Sequence, residues 1–168
     1  AQVACEAPGT RVYSVDLWVN DYGGVANPGP EFLREEIVRA APEFRGELHF
    51  LSGDSHDLLP QFLDGHATDG PGADELRRHG ENRPNRFDLV TVDGDHSALG
   101  AWWDLLDVLP HVAVGGAVVF DDLLECSDEP VGGTPPSRFA QRHPPLTDFR
   151  PSLLDVWRRV QRVFGNFT

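Results

Sequence analysis

Acidic residues follow two short apolar runs, and their types and spacing could form a metal site. Residues 87–92 (FDLVTV) run directly into 93–96 (DGDH), and residues 117–120 (AVVF) run directly into Asp121 and Asp122. Carboxylates brought together in this way repel one another and raise each other's pKa. A hard divalent cation such as Mg²⁺, which prefers oxygen ligands, relieves that repulsion.

The segment between the two runs explains why their ends would meet. An apolar stripe at helical spacing predicts an amphipathic helix over residues 101–112, formed by Trp102, Leu105, Leu106, Leu109 and Val112. Gly115 and Gly116 then turn the chain into the second strand. A strand–helix–strand unit has parallel strands, whose carboxyl ends share one edge, where ligands bind. A single acid there is usually a solvated cap, but two pairs of acids at one edge favour a site.

Two earlier segments extend the same pattern. Residues 11–15 (RVYSV) and 47–51 (ELHFL) are predicted strands, followed by Asp16 and by residues 52–55 (SGDS). Four strands therefore alternate with helices, and each is followed by an acid. This pattern predicts an α/β fold with a doubly wound, mostly parallel, Rossmann-like sheet and a nucleotide-type site at its carboxyl edge. An acid in the position of Asp16 can accept hydrogen bonds from a ribose.

Three further helices are predicted, at residues 31–41, 56–63 and 151–164. Before the second of them, Asp54 is again an acid at the end of a strand, and Ser55 could cap that helix; capping and ligand binding are about equally favoured here. The apolar positions of the first are Phe32, Ile37 and Val38. The last has an apolar stripe formed by Leu153, Leu154, Val156, Trp157, Val160 and Val163. Its solvated face is formed by Arg158, Arg159 and Arg162.

Length and composition limit the classes of function. The chain has 168 residues, which fits a single domain, and a net charge of -13, which argues against nucleic acid or an anionic membrane as a partner. Its two cysteines, Cys5 and Cys126, imply neither a disulfide framework nor a zinc site. No apolar run approaches a membrane span and no secretory signal is visible, so we expect a cytoplasmic protein. A homo-oligomer stays open.

Three segments lie outside the main predicted elements. Residues 1–7 are helix-like, residues 65–85 form a polar surface insertion, and residues 125–150 form a loop that borders the site. The sequence contains no Met, and it begins and ends within predicted elements. We therefore expect an interior portion of a longer protein, which lacks the first strand and the last strands of the sheet.

Four segments of the chain together resemble a known family: VYSVDLW, LHFLSGDS, FDLVTVDGDHS and GGAVVFDD. They resemble the class I S-adenosylmethionine-dependent methyltransferases. More narrowly, they are similar to metal-dependent natural-product O-methyltransferases of the macrocin type and to their cephalosporin-hydroxylase-like relatives. The resemblance covers residues 1–124, and its specific part is DGDHS together with GGAVVFDD. It implies S-adenosylmethionine and Mg²⁺ as cofactors and a hydroxyl of a small molecule, such as a natural-product sugar or polyketide, as acceptor.

The resemblance also implies roles for individual residues. Those assigned to S-adenosylmethionine are Asp16 at the ribose, Gly53, Asp54 and Ser55 at the adenine, and Asp93. Those assigned to Mg²⁺ are Asp93, Asp121 and Asp122. The substrate proton would be taken by Asp93 or His96. One departure from the family pattern is the absence of its acid-x-Gly-x-x-Gly turn, which fits the expectation that the sequence is an interior portion.

Three alternative functions stay open at this point. A relative of the hydroxylase-associated branch would share the cofactor pocket and metal but use another acceptor or transfer no methyl group. A haloacid-dehalogenase-like phosphatase would explain an acid-x-acid motif after a strand, although that family's basic residue has no clear match here. A non-catalytic binding domain would keep the fold alone.

Overall fold

The computed structural model describes residues 9–18, 26–64, 84–123 and 152–164, which belong to two compact units, Ala1–Arg83 and Pro84–Thr168. Within these described ranges, each unit contains helices and one pair of parallel strands. The predicted α/β class is thereby confirmed, and the parallel pairs are consistent with part of a Rossmann-like sheet. No helix in the described ranges has the length and apolar character needed to cross a membrane. The predicted helix at 1–7, the insertion and the loop at 125–150 lie outside the described residues, apart from the last two residues of the insertion.

The first unit is built on strands that pair over their whole length. Its elements are β1 (Arg11–Asp16), α1 (Gly29–Ala40), β2 (Glu47–Ser52) and α2 (Ser55–Asp64). Arg11 pairs with Glu47 and the register continues without a shift to Asp16 and Ser52. On one side of this pair, the ring of Phe62 in α2 packs 5.1 Å from the ring of Tyr13 in β1. The ends of the two strands therefore lie side by side.

Helix α1 begins two residues earlier than predicted. Asn27 accepts a hydrogen bond at Oδ1 from the Gly29 N–H (2.9 Å), and Pro30, which suits a first helical turn, lies inside the helix. The predicted apolar positions do not form a buried stripe, since Phe32 and Val38 are 48% and 56% exposed. Arg34 contacts the strands, because its guanidinium lies 5.1 Å from the centre of the Phe50 ring.

The second unit contains the predicted strand–helix–strand motif. Its elements are β3 (Phe87–Val92), α3 (Ala98–Val108), a 3₁₀ turn (Leu109–His111), β4 (Val112–Phe120) and α4 (Leu153–Phe164). Strands β3 and β4 pair in parallel, as predicted. The helix ends earlier than predicted, and Val112, which we placed in it, is the first residue of β4. Pro110 lacks the N–H that an α-helix needs at that point, so the last turn tightens and the chain becomes extended.

Gly115 and Gly116 lie inside β4, which corrects the prediction that they precede it. The pairing jumps there, from Phe87 opposite Val112 to Leu89 opposite Ala117, so β4 has a bulge-like irregularity at this point. Gly115 adopts a φ of 81°, which favours glycine. At Gly116 a β-carbon would lie 3.0 Å from the carbonyl oxygen of Asp88. The two glycines therefore serve a bulge and a close backbone approach.

Helix α3 forms the core of this unit and is buried on almost every side. The predicted apolar stripe is confirmed for Trp102, Leu105 and Leu106, which are buried. Asp104 and Asp107 are buried as well, so these two acids do not form the solvated face that an amphipathic helix would have. Helix α4 packs on α3, with Leu153, Val156 and Val160 buried, as its predicted stripe requires. Val163 is 59% exposed and does not continue that stripe. Arg159, predicted to be solvated, instead places its guanidinium 5.9 Å from the centre of the Trp102 ring.

Candidate functional site

The carboxyl ends of β3 and β4 form a continuous edge. Val92 and Phe120 are register partners at the ends of their strands, and the Asp121 N–H donates to the Val92 carbonyl oxygen (3.1 Å). The two acidic segments therefore begin next to each other, as parallel strands require. This arrangement confirms the predicted meeting of the two strand ends.

Three side chains converge at this edge: Asp93, His96 and Asp122. His96 Nε2 lies 3.5 Å from Asp93 Oδ1 and 3.2 Å from Asp122 Oδ2. One ligand-type atom from each residue lies within 4.8 Å of the others. The side chains are 53%, 28% and 38% exposed in that order, so a ligand can reach them from solvent.

The turn that carries His96 is held by local hydrogen bonds. Asp95 Oδ1 accepts from the Ser97 N–H (2.8 Å). Ser97 is the N-cap of α3, and its Oγ accepts from the Gly100 N–H (3.0 Å). The sequence places Asp93 and His96 three residues apart, and this turn folds them onto the same side of the edge. That spacing was the signal for His96 as a neighbour of the acids.

Asp122, not Asp121, is the second acid of the cluster. Asp122 has a φ of 53°, a left-handed conformation that Asp adopts more readily than most residues. Its N–H donates to Asp121 Oδ1 (2.8 Å), so the Asp121 carboxylate accepts a bond from the turn itself. The predicted set was Asp93, Asp121 and Asp122, whereas the structure groups Asp93, His96 and Asp122. A metal-binding role for Asp121 stays a prediction.

The donors of this cluster fit a divalent cation. Two carboxylate oxygens suit Mg²⁺, and an imidazole nitrogen beside them suits Mn²⁺, Fe²⁺ or Zn²⁺. The same geometry also lets a protonated His96 form ion pairs with both carboxylates. The arrangement can thus bind a cation, move a proton at His96 Nε2, or do both with different residues.

The predicted cofactor residues of the first unit also lie at a carboxyl edge. The Asp16 carbonyl oxygen accepts from the Gly53 N–H (2.9 Å), which joins the ends of β1 and β2. Gly53 has a φ of 153°, and a β-carbon there would lie 2.7 Å from Leu58 Cδ1. Asp16 Oδ1 accepts a hydrogen bond from the Trp18 N–H (2.8 Å), and Asp16 is exposed to solvent. The structure therefore brings Asp16 and Gly53 together.

The N-cap of α2 is Asp54 and not the predicted Ser55. Asp54 Oδ1 accepts from the His56 N–H (2.9 Å), and its carbonyl oxygen accepts from the Leu58 N–H (2.9 Å). Asp54 is therefore the residue that caps α2, whereas Ser55 is the first residue of the helix. Capping by Ser55 was wrong. A contact of either residue with a nucleoside stays a prediction.

Trp18 is a residue whose part in this edge we did not predict. Its indole Nε1–H donates to the Leu51 carbonyl oxygen (3.3 Å), and its ring meets Phe50 edge-on at 5.8 Å. Trp18 thus ties the segment after β1 to β2. An aromatic residue two positions after the acid was the available signal.

Comparison with known proteins adds one match. A family model described as a methyltransferase domain matches residues 1–123, a range that covers more than half of the chain and includes all three clustered side chains. Searches of curated proteins and of solved structures found no match.

Proposed function

Since the chain belongs to the methyltransferase-domain family, we propose that it transfers the methyl group of S-adenosylmethionine to a hydroxyl oxygen of a small molecule, assisted by a divalent cation such as Mg²⁺. The observation that carries this proposal is the convergence of Asp93, His96 and Asp122 at the carboxyl edge of β3 and β4. The family match favours methyl transfer over the phosphatase alternative.

The first unit offers a place for the nucleoside. A carboxylate that is fixed by the Trp18 N–H, as that of Asp16 is, can accept hydrogen bonds from ribose hydroxyls without first having to be ordered. Gly53 lies beside it, because the Gly53 N–H donates to the Asp16 carbonyl oxygen, and its missing side chain lets Leu58 pack at the end of β2. These features support the roles that the resemblance gives to Asp16 and Gly53.

The second unit offers a place for the cation and the acceptor. Asp93 and Asp122 would hold the cation, with Asp121 as the further carboxylate that the sequence predicts. When bound, the cation would lower the pKa of the acceptor hydroxyl and fix its position. His96 Nε2 would accept the hydroxyl proton as the acceptor oxygen bonds to the methyl carbon. The bond between that carbon and the sulfonium sulfur breaks in the same step, and S-adenosylhomocysteine leaves. Asp93 and Asp122, 3.5 and 3.2 Å from that nitrogen, would stabilise the imidazolium that results.

Calorimetry on the full chain tests this function with S-adenosylhomocysteine and Mg²⁺ as separate ligands. We expect saturable binding of both. Asp16→Asn should weaken nucleoside binding and leave Mg²⁺ binding intact, whereas Asp122→Asn should do the reverse. Asp88→Asn is the matched control, because Asp88 is an exposed acid of β3 outside both groups.

The outcomes separate the alternatives. Absence of S-adenosylhomocysteine binding under all conditions would reject the proposed reaction and leave the phosphatase and the non-catalytic binding domain as alternatives. Binding of the nucleoside without any effect of Mg²⁺ would reject the cation and retain the methyl donor. Incubation with hydroxylated small molecules and labelled S-adenosylmethionine then identifies the acceptor.

A further inference from the structure

The turn that carries Asp93 and His96 rests on the first turn of α3 at one buried glycine. A β-carbon built on Gly100 would fall on the carboxyl group of Asp95, and even Asp95 Cβ would lie only 2.6 Å away. Real β-carbons essentially never approach other heavy atoms within 3.0 Å. Asp95 therefore occupies the space that any side chain at position 100 would need.

Hydrogen bonds through Ser97 also connect Asp95 and Gly100. Asp95 Oδ1 accepts from the Ser97 N–H, and Ser97 Oγ accepts from the Gly100 N–H. Gly100 thus contributes both a bare α-carbon and a donor to the turn. Asp95 lies between Asp93 and His96 in sequence, so a displacement of Asp95 moves one or both of them.

Gly94, which precedes Asp95, makes a second and looser contact between the turn and α3. A β-carbon on Gly94 would lie 3.1 Å from Oδ2 of the buried Asp104, so a small adjustment of that side chain would accommodate it. The turn is therefore packed on α3 at two glycines, tightly at Gly100 and loosely at Gly94. This difference supplies an internal comparison.

We propose that Gly100 is a positioning residue. Its missing side chain lets Asp95 pack against α3, and this packing sets the separation between Asp93 and His96. This inference rests on the proposed function, in which those two residues bind the cation and accept the proton. Groups that support metal ligands in this way commonly change metal affinity by about 10- to 100-fold when they are altered.

The direction in which Gly100→Ala changes stability distinguishes a positioning role of Gly100 from an effect of helix propensity. Alanine is a better helix former than glycine, so propensity alone predicts that Gly100→Ala stabilises the protein and leaves the site unchanged. A positioning role predicts instead that Gly100→Ala destabilises the protein and alters the site. In the Asp95→Gly background, Gly100→Ala should cause little further loss of affinity, because the side chain with which the new methyl group collides is already absent.

The experiment measures Mn²⁺ affinity by calorimetry and the His96 imidazole nitrogen shifts by NMR in the full chain. We expect Gly100→Ala to lower the affinity about 10- to 100-fold and to shift His96 but not His111. Gly94→Ala should have a smaller effect. Wild-type affinity together with unshifted His96 resonances in Gly100→Ala would overturn the proposal.

Two further measurements keep this test independent of folding and of the proposed function. If Gly100→Ala fails to fold, Asp95→Asn should keep wild-type affinity, because it keeps the shape and the Oδ1 acceptor, and Asp95→Gly should lose affinity. Equal Mn²⁺ affinities of Asp95→Asn and Asp95→Gly would overturn the positioning role of Gly100. If the wild-type chain binds no Mn²⁺, the cation part of the proposed function fails, and the His96 shifts alone decide the role of Gly100.

Discussion

His96 Nε2 lies 3.2 Å from Asp122 Oδ2, although one residue follows β3 and the other follows β4. Two local conformations create this contact: the capped turn before α3 and the left-handed backbone of Asp122. The carboxyl edge of the parallel pair therefore joins a titratable nitrogen to a carboxylate. Such a pair can hold a cation or stabilise a protonated base.

We predict that His96→Gln lowers the methyl-transfer rate about 100- to 10,000-fold, which is the usual contribution of a general base. The amide cannot accept and hold the proton, whereas Asp93 and Asp122 still provide carboxylates for the cation. Mg²⁺ affinity should therefore fall less in this variant than in Asp122→Asn. An equal loss of affinity would instead make His96 a ligand. The measurements are turnover with saturating acceptor and Mg²⁺ calorimetry.

Asp121 and Asp122 should differ in their effect on Mg²⁺. We expect Asp122→Asn to weaken Mg²⁺ binding about tenfold or more, because it removes one of the clustered charges. Asp121→Asn should have a smaller effect, since an amide oxygen can still accept from the Asp122 N–H. A larger loss in Asp121→Asn would restore Asp121 as a principal ligand. Calorimetry of both variants beside Asp88→Asn makes the comparison.

The sequence was sufficient for β1, β2, β3 and the edge where the strands end, because β-branched runs that stop at an acid are a strong local signal. It was not sufficient for the start of β4, which lies at Val112 and not at residue 117. It could not decide which of two adjacent acids joins the cluster, since that depends on the φ of Asp122. Nor could it tell a turn from a bulge at Gly115, because both need glycine at a positive φ. The burial of Asp104 and Asp107 follows from the packing of α3, which opposes their ordinary preference for solvent.

Gly53→Ala should destabilise the protein and weaken nucleoside binding. The added methyl group would press on Leu58, and overpacking of this kind costs about 1–3 kcal/mol. Gly9→Ala is the control for backbone strain alone, because Gly9 also has a positive φ but open space around it. Denaturant unfolding of both variants measures the difference. Equal losses of unfolding free energy would mean that packing on Leu58 contributes nothing.

Asp54→Ala should lower the unfolding free energy by about 1 kcal/mol, the usual cost of losing a side-chain N-cap. Ser55→Ala should have little effect, because Ser55 lies inside α2 and the capping hydrogen bond from the His56 N–H is accepted by Asp54. Asp54→Asn separates charge from capping, since its amide oxygen can still accept from the His56 N–H. A greater loss of stability in Ser55→Ala than in Asp54→Ala would contradict this assignment of the cap.

Tyr13 should make stability fall at alkaline pH. Burial raises the pKa of Tyr13 above its ordinary value of 10.0, because desolvation disfavours the phenolate. The unfolded chain therefore releases this proton first, so the contribution is present below pH 10 and is lost as the pH rises through the folded-state pKa. The sequence has no Lys and only two Tyr, so few other groups titrate there. Tyr13→Phe should flatten the decline of the unfolding free energy above pH 10, measured by urea unfolding, and an unchanged slope would contradict the effect of burial.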